Sequence, residues 1–255
     1  MTLSKIARHY SEWEDLGHLD PYWAVLTKSG TRFQRWRMED FLRTGEEEVK
    51  EVIQFARDLE FPKHFNRFLH FGCGVGRLTR AFSCHFAKSY GVDISAQMLL
   101  HARSLNRDIT NCTFVRVPAV DGLAAFREEC FDMIYTNIVL QHLPTAELIR
   151  HYIKEFVRTL RVGGLLVFQL PCYISFLHRL QPRRRLYSFL RSIGFSPSFV
   201  YERLRLDPLR MNFIPEHEVI SLLAKLPAQV LCVKGTRNAS SAVENRFYYI
   251  TKVRV

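Results

Sequence analysis

Three alternating glycines mark the segment of this sequence to which chemistry is most readily assigned. Gly72, Gly74 and Gly76 stand between an apolar run, residues 65–71, and a helical pattern that begins at Arg77. Glycine permits a tight turn and a close approach of backbone to ligand, and the free N–H groups of the following helix attract polar groups. The spacing differs from the G-x-G-x-x-G of dinucleotide binders, and the segment lacks the Lys-Ser/Thr of a P-loop. The loop therefore predicts a nucleotide-type ligand, and the alternative is a structural turn in an α/β domain.

An acidic residue follows the next apolar run. Asp93 comes after residues 89–92, which read as a second strand. A carboxylate at the carboxyl end of such a strand can accept two hydrogen bonds from a ribose diol, and Ile94 beside it offers an apolar face for adenine. The alternative role for Asp93 is to cap the next helix, but Ser95 fits that role better.

Strand and helix patterns alternate around these residues. The predicted strands are residues 65–71, 89–92, 113–117, 131–136 and 165–170, and the predicted helices are residues 77–86, 97–105 and 145–160. Alternation of this kind indicates parallel βαβ units in an α/β fold with a doubly wound sheet and helices on both faces. We expect Gly163 and Gly164 to end the last of these helices.

The remaining segments differ in composition from this alternating part. Residues 1–45 are rich in aromatic side chains and show no regular pattern, and a helix is predicted over 46–59. Near the other end, a helix over 215–226 and strands over 230–234 and 247–253 predict an antiparallel hairpin that closes the sheet. We divide the chain into an N-terminal helical and aromatic cap (1–60), a ligand-binding core (61–171), an inserted basic lid (172–213) and a C-terminal helix and hairpin of the same domain (214–255).

Three stretches, residues 68–78, 91–98 and 131–144, resemble motifs of the class I, Rossmann-like S-adenosylmethionine-dependent methyltransferases. The resemblance covers roughly residues 65–170 and implies a seven-stranded, mostly parallel sheet whose last strand is antiparallel. It also implies S-adenosyl-L-methionine as the cofactor of a methyltransferase. The glycine loop would line its methionine part, Asp93 would bind its ribose hydroxyls, and Ile94 and Met98 would flank its adenine. The full set of implied cofactor-binding residues is Gly72, Cys73, Gly74, Gly76, Arg77, Asp93, Ile94, Met98, Asp121 and Asn137.

The sequence departs from the family pattern at two places. The family usually carries an acid two positions before the first glycine, where it helps to hold the ammonium group of the cofactor, and here the residue is His70. Histidine is neutral or positive near neutral pH, so this contact is weakened or replaced. After the third strand the family often has an acidic or polar residue near the adenine amine, and Asp121 is the candidate for that position.

The segment after the fourth strand contains the candidate catalytic residue. In similar small-molecule methyltransferases the histidine of this stretch lies near the acceptor, so His142 is the candidate general base. The alternative is that His142 only packs or caps the turn before the next helix. Methyl transfer is an in-line displacement that depends mainly on holding the acceptor aligned, and a base matters most for an oxygen acceptor.

The acceptor that we expect is a small molecule or glycoside, methylated on oxygen. The residues before position 46 and the lid at 172–213 could both border its pocket, since α/β folds place their sites at the carboxyl ends of strands. Each aromatic side chain there has the alternative role of packing the cap against the core. The candidate pocket residues are Trp13, Tyr22, Trp23, Trp36, Tyr173 and Met211.

Two other partners fit the basic lid, which has eight arginines and two acids between residues 172 and 213. Arginines interleaved with aromatics could bind RNA or another nucleic acid, but no Asn-Pro-Pro-Tyr type motif follows the fourth strand. Residues 176–193 are basic and amphipathic and could lie on an anionic membrane, although Pro182 breaks any long helix. A catalytically weak protein of this fold that binds a partner or a membrane is a further alternative.

Composition sets broader bounds. The 255 residues carry a formal net charge of +11, which favours acidic partners without identifying one. The six cysteines show neither a C-x-x-C pair nor zinc-ligand spacing, so we expect reduced thiols and no metal site. No apolar run approaches the ~20 residues of a membrane span, and the N-terminus lacks the order of a signal peptide. We therefore expect a cytoplasmic protein; its oligomeric state is not predicted.

Overall fold

The computed structural model describes residues 3–236 and 242–254. Its centre is a seven-stranded sheet in the order β3-β2-β1-β4-β5-β7-β6. The first five strands are mutually parallel, and β7 runs antiparallel to both β5 and β6. The predicted doubly wound sheet and its closing hairpin are therefore confirmed. The strands are β1 (Arg67–Phe71), β2 (Lys88–Asp93), β3 (Cys112–Arg116), β4 (Phe131–Thr136), β5 (Leu160–Ile174), β6 (Ala228–Thr236) and β7 (Val243–Lys252).

Nine α-helices lie among the described residues. They are α1 (Leu3–Leu19), α2 (Pro21–Val25), α3 (Met38–Asp58), α4 (Arg77–Ser83), α5 (Ala96–Leu105), α6 (Ala146–Thr159), α7 (Phe176–Arg179), α8 (Pro182–Ser192) and α9 (Glu216–Leu223). Two N-termini are capped as their residue types predict. The hydroxyl of Ser95 accepts from the N–H of Met98 at 3.1 Å, and that of Thr145 accepts from the N–H of Leu148 at 3.3 Å.

Helices cover both faces of the sheet. The side chains of α6 and α9 pack on one face, with Phe71, Ile134 and Phe168 of the strands. The side chains of α3 and α4 pack on the other, with Phe68 and Tyr135. Successive residues of a strand point to opposite faces, so strands that are apolar throughout bury both sets of side chains.

The N-terminal region differs from the expectation of an irregular segment. Residues 3–19 form α1, whose inward face carries the buried polar residues His9 and Glu12 as well as Leu16, and these polar residues hide the helical period. The next long helix begins at Met38 rather than at residue 46. Gly45 lies inside it and is buried against α4. A Cβ at this position would come within 2.8 Å of Cγ of Arg77. A glycine that reads as a break is therefore a point of close packing.

The fifth strand is also longer than predicted. α6 ends at Thr159, and β5 begins at once with Leu160 in an extended conformation, so the two glycines do not cap the helix. Gly163 instead lies within β5 at a φ of +73°, where the register with β7 shifts. The far end of β5 leads into the lid, in which Pro182 is the first residue of α8.

Candidate functional site

One cavity opens at the carboxyl ends of β1, β2 and β4, the edge at which parallel sheets place ligands. It measures about 850 Å³ with its open mouth included. The core contributes Gly72, Asp93 and Asn137 from the three strand ends, and α1 and α2 cover it from outside with Trp13 and Val25. Of the predicted cofactor residues, the cavity brings together Gly72, Cys73, Gly74, Arg77, Asp93, Ile94, Met98 and Asn137.

The glycine loop is shaped by close neighbours. Gly72 and Gly74 have φ values of +70° and +51°, in the left-handed region that favours glycine. A Cβ on Gly72 would come within 2.4 Å of Val139, and one on Gly74 within 2.3 Å of Val25. At either position the side chain of a larger residue would overlap the side chains of the cavity wall.

Gly76 has a different position. It is the N-cap residue just before α4, with a φ of +80°, and a Cβ there would meet Asn106 and Phe114 within 2.8 Å. It does not line the cavity. Its role in this structure is to let α4 pack closely beside α5 and β3.

Asp93 is fixed by the backbone on both sides. Its Oδ2 accepts from the N–H of Gly74 at 2.8 Å, and its Oδ1 accepts from the N–H of Ser95 at 2.9 Å. Burial raises the pKa of this carboxyl above its ordinary value. Each carboxylate oxygen can accept more than one hydrogen bond, so acceptor capacity remains on the cavity side.

His70 lies where the family usually has an acid. Its Nδ1 is 3.0 Å from the hydroxyl of Thr79, and its ring lines the cavity. Burial, assisted by the nearby positive charge of Arg77, lowers the pKa of His70 to about 3. The imidazole is therefore neutral at physiological pH and supplies no negative charge at this point.

A carboxylate from another element lies behind this part of the cavity wall, in contact with the lining residues Arg77 and Asn137 but not itself in the lining. Glu48 of α3 accepts hydrogen bonds at 2.8 Å from Nη2 of Arg77, from the hydroxyl of Tyr135 and from Nδ2 of Asn137. Burial, with the neighbouring Glu48 charge, raises the pKa of Tyr135 well above its ordinary value, so its hydroxyl remains a donor. Glu48 could not be predicted from the sequence, because nothing local distinguishes it from the other acids of α3.

The opposite end of the cavity contains His142. Its Nδ1 lies against the carbonyl oxygen of Arg210, which can only accept, so Nδ1 carries the proton and Nε2 has a lone pair. Burial lowers the pKa of His142 to about 4, and the ring is neutral. The ring of Trp13 packs edge-on at 5.6 Å, and buried His9 lines the same end of the cavity.

Ile138 is a second feature without a signal in the sequence. It follows Asn137 at the exit of β4 with a φ of +57°, an unfavourable conformation for a β-branched residue. Its N–H donates to Oε1 of Gln169 at 3.1 Å, and the residue lines the cavity. Backbone strain of this kind is common at functional sites.

Several predicted site residues lie elsewhere. Asp121 is outside the cavity lining, 65% exposed, with its Oδ1 3.0 Å from Nε2 of His151. Among the aromatic candidates for the acceptor pocket, Trp13 lines the cavity, whereas Tyr22, Trp23 and Trp36 pack in a cluster with Phe41. Tyr173 and Met211 do not line it.

The helix α1 joins the cavity roof to the core. Glu14 accepts from the N–H groups of Ala96 at 2.8 Å and Gln97 at 3.0 Å, which closes the N-terminus of α5. On its other side, α1 pairs Glu12 with Arg184 at 3.2 Å. In the described ranges, no cluster of His, Cys, Asp or Glu is arranged to hold a metal ion, and no helix has the length and apolarity to cross a membrane.

The comparisons with known proteins agree with this geometry. A family model described as a methyltransferase domain matches residues 69–168. Over 169 residues the chain is 27% identical to a 2-methyl-6-phytyl-1,4-hydroquinone methyltransferase from Synechocystis, a match covering 64% of this chain and 49% of that protein. A malonyl-[acyl-carrier protein] O-methyltransferase from Pectobacterium atrosepticum is 28% identical over 169 residues, covering 62% of this chain and 59% of that protein. The chain thus spans about half the length of these relatives.

Solved structures share the fold. An N-methyltransferase from Bradyrhizobium japonicum and a magnesium protoporphyrin IX methyltransferase from Synechocystis, both with bound S-adenosylhomocysteine, superpose with a TM-score of 0.60. Each is 15% identical, and each match covers 96% of this chain and 99% of the other. The strand order, the glycine loop, the carboxylate after β2 and the family match lead to one conclusion: residues 69–168 contain a methyltransferase domain, in a chain with the Rossmann-like fold of S-adenosylmethionine-dependent methyltransferases.

Proposed function

We propose that this protein transfers a methyl group from S-adenosylmethionine to an oxygen atom of a small-molecule or glycoside-type acceptor. The observation that carries the proposal is the continuity of one cavity, from the glycine loop and Asp93 to His142 and Trp13. A cofactor at the first end and an acceptor at the second would meet within a single enclosed space, as methyl transfer requires.

The residues present fit the cofactor. The two glycines leave a cradle that a Cβ would fill, and Asp93 keeps acceptor capacity for a ribose diol. The apolar side chains of Ile94 and Met98 border the space where an adenine would lie. For the ammonium group, the fixed Glu48–Asn137 pair is our candidate in place of the missing acid, since Asn137 retains its carbonyl oxygen as an acceptor.

The preference for oxygen rests on His142. Its neutral ring has a lone pair on Nε2, which receives only a long contact of 3.4 Å from the side-chain amide of Gln141. An acceptor hydroxyl could replace that contact, donate to Nε2 and lose its proton to it as the methyl group arrives. When bound, the cofactor supplies a methyl group on a positively charged sulfur, which leaves as a neutral thioether. The apolar walls of the cavity keep water from competing with the acceptor for the methyl group. The relatives are named for acceptors as different as a hydroquinone and a carrier-protein malonyl group, so they do not identify the acceptor.

The first test is calorimetric titration with S-adenosylmethionine and S-adenosylhomocysteine. We expect Asp93→Asn to weaken binding at least tenfold, about 1.4 kcal/mol, because the amide has half the acceptor capacity. The matched control is Asp121→Asn, an exposed acid outside the cavity, which should bind as the wild type does. Equal affinity of the two variants would contradict this assignment of Asp93.

The same titration should depend on pH. Burial raises the pKa of Asp93, and a ribose diol favours its ionised form, so binding should weaken as pH falls through that raised pKa. The Asp93→Asn variant has no such group and should lack this part of the pH dependence. An identical pH dependence in both proteins would exclude Asp93 as the titrating contact.

The second test uses His142 in a screen of phenol, sugar-hydroxyl, carboxylate and amine acceptors, with S-adenosylhomocysteine release as readout. His142→Asn keeps a donor for the carbonyl of Arg210 but has no Nε2. We expect at least a hundredfold loss of kcat with a hydroxyl acceptor and unchanged cofactor affinity. His142→Phe removes both interactions. A His142→Asn variant with wild-type kcat would leave His142 with only a packing role.

We infer a cytoplasmic location, supported by the six free cysteine thiols, which fit a reducing compartment.

Methylation of nucleic acid is the alternative acceptor chemistry. Release of S-adenosylhomocysteine with RNA, and with none of the small acceptors, would favour it.

A further inference from the structure

The lid presents a large apolar surface to solvent. Ten of the thirteen exposed large hydrophobic side chains among the described residues lie between positions 173 and 204. Phe176 and Leu177 of α7 are 74% and 73% exposed, more than any other of these side chains. Monomeric proteins rarely leave such clusters uncovered unless they bind something.

The arrangement of α8 shows that this exposure is systematic. Leu186, Phe189 and Ile193 follow one another at steps of three and four, so they share one face, and they are between 48% and 58% exposed. The opposite side faces α1: Tyr187 is buried, and Arg191 pairs with Asp15 at 3.3 Å. The helix is held to the protein by the Arg191 ion pair and by Tyr187, which packs with Val200 and Leu206, while a second, apolar face points outward.

The charges beside this face are mainly positive, with Glu202 the one exposed acid of the lid. Arg183 and Arg185 flank the apolar stripe at helical spacing, and α8 contains no acid. Together with Arg179, Arg203 and Arg205 they are exposed, and none of the five has a carboxylate partner among the described residues. An apolar stripe bordered by arginines is the pattern of helices that lie in the headgroup region of an anionic bilayer.

We propose that the lid surface, defined as the exposed side chains of α7 and α8 with their flanking arginines, docks on a membrane that contains anionic lipid. The apolar side chains would enter the acyl boundary, and the arginines would contact headgroup phosphates through their long stems. The lid also touches the acceptor end of the cavity, where the carbonyl of Arg210 meets His142. Docking would therefore bring the cavity to an acceptor held in or at the bilayer.

Two other occupants fit less well. In a symmetric dimer through this face, the same arginines would meet their own copies. A nucleic acid would pair with the arginines but would leave Leu186 and Ile193 without a stacking partner, because bases stack on aromatic rings. The membrane proposal concerns binding alone, so it stands or fails independently of the proposed methyl transfer.

The test is co-sedimentation of the full chain with vesicles of phosphatidylcholine, with and without 30 mol% phosphatidylglycerol. We expect binding to the anionic vesicles to exceed binding to neutral ones at least tenfold and to fall as salt is raised. The triple variant Leu186→Gln, Phe189→Gln, Ile193→Gln should lose at least tenfold in affinity.

The control variants carry the same kinds of substitution at exposed positions outside the lid. Met38→Gln with Leu100→Gln replaces exposed hydrophobic side chains outside the lid and should leave vesicle binding unchanged. The double variant Arg183→Gln, Arg185→Gln should bind anionic vesicles more weakly than the wild type. Its control is Arg107→Gln with Arg127→Gln, two exposed arginines outside the lid, which should leave vesicle binding unchanged. Equal losses in a lid variant and its control would overturn the proposal.

A second measurement does not depend on a loss of binding. Phe189→Trp preserves an apolar ring, and its fluorescence should shift to the blue and be quenched by brominated lipid in anionic vesicles. An indole at position 189 that stays in water while the protein sediments would contradict docking by this face. Retention on RNA without binding to anionic vesicles would assign the surface to nucleic acid instead.

Discussion

At the scale of single residues, Gly72 combines two constraints that can be separated. Its φ of +70° is unfavourable for any residue with a Cβ, and that Cβ would also overlap Val139. Gly30 has a similar φ of +81° but no neighbour within 4 Å of the corresponding position. It therefore isolates the backbone contribution.

We predict that Gly30→Ala lowers the free energy of unfolding by about 1 kcal/mol, from the left-handed conformation alone. Gly72→Ala should lower it by about 1–3 kcal/mol more, because the methyl group is forced into a packed wall. Chemical denaturation of both variants measures the difference. Adding Val139→Ala to Gly72→Ala should recover most of the additional loss, and no recovery would show that Val139 is not the obstacle.

The sequence was sufficient to place the residues whose location follows from the strand pattern. Gly72, Gly74 and Asp93 stand at strand ends that apolar runs make visible, and they do line one cavity. Glu48 and His9 reach the same region through tertiary packing of helices distant in sequence, and their neighbours in the chain give no sign of it. Asp121 shows the converse: it follows the correct strand, but its loop directs it to His151.

At the scale of elements, a buried ion pair joins α3 to α4. The side chain of Arg77 is only 4% exposed and donates to both Thr44 and Glu48 of α3. Removing the carboxylate would leave a buried positive charge without its counter-ion, which is strongly unfavourable. On the outer side of α3, the pair of Arg43 and Asp40 is exposed to solvent and provides a comparison within one helix.

We predict that Glu48→Ala lowers the free energy of unfolding by about 3 kcal/mol, whereas Asp40→Ala lowers it by less than about 1 kcal/mol. The double variant Glu48→Leu with Arg77→Met should be more stable than Glu48→Ala, since it leaves no charge unpaired. Urea denaturation of the three proteins tests the order. A double variant less stable than Glu48→Ala would mean that the pair contributes more than mutual neutralisation.

Helices and strands could be predicted where a single hydrophobic period dominates the sequence. The apolar strands and the amphipathic α6 were located within a few residues, because alternation and three-to-four spacing are unambiguous there. The helix α1 was missed because buried polar groups interrupt its inward face. The early start of α3 was missed because close packing against Arg77, and not a turn, explains Gly45.

At the scale of the whole molecule, three buried histidines make stability depend on pH. Burial lowers the pKa of His9 and of His70 to about 3 and that of His142 to about 4, from an ordinary 6.5. The folded protein keeps these rings neutral, while the unfolded chain takes up protons as pH falls below 6.5. Stability is therefore present above that pH and is lost as the solution is acidified toward the folded values.

We predict that each of these histidines removes about 2 kcal/mol of stability between pH 7 and pH 5. His70→Asn keeps a polar group beside Thr79 and should reduce the loss by that amount. His64→Asn, at an exposed position, is the control and should leave the loss unchanged. Urea denaturation at the two pH values gives the comparison, and equal acid sensitivity of His70→Asn and the wild type would contradict the argument.

The placement of α1 also has an evolutionary consequence. Its Glu14 closes the N-terminus of α5, while its Glu12 and Asp15 hold α8, a helix more than 170 positions later in the chain. A gene rearrangement that replaced only the segment between β5 and α9 would discard the arginines on which those two acids depend. We therefore expect the codons of α1 and those of the lid to change together, and a chimera that exchanges both segments should be more stable than one that exchanges the lid alone.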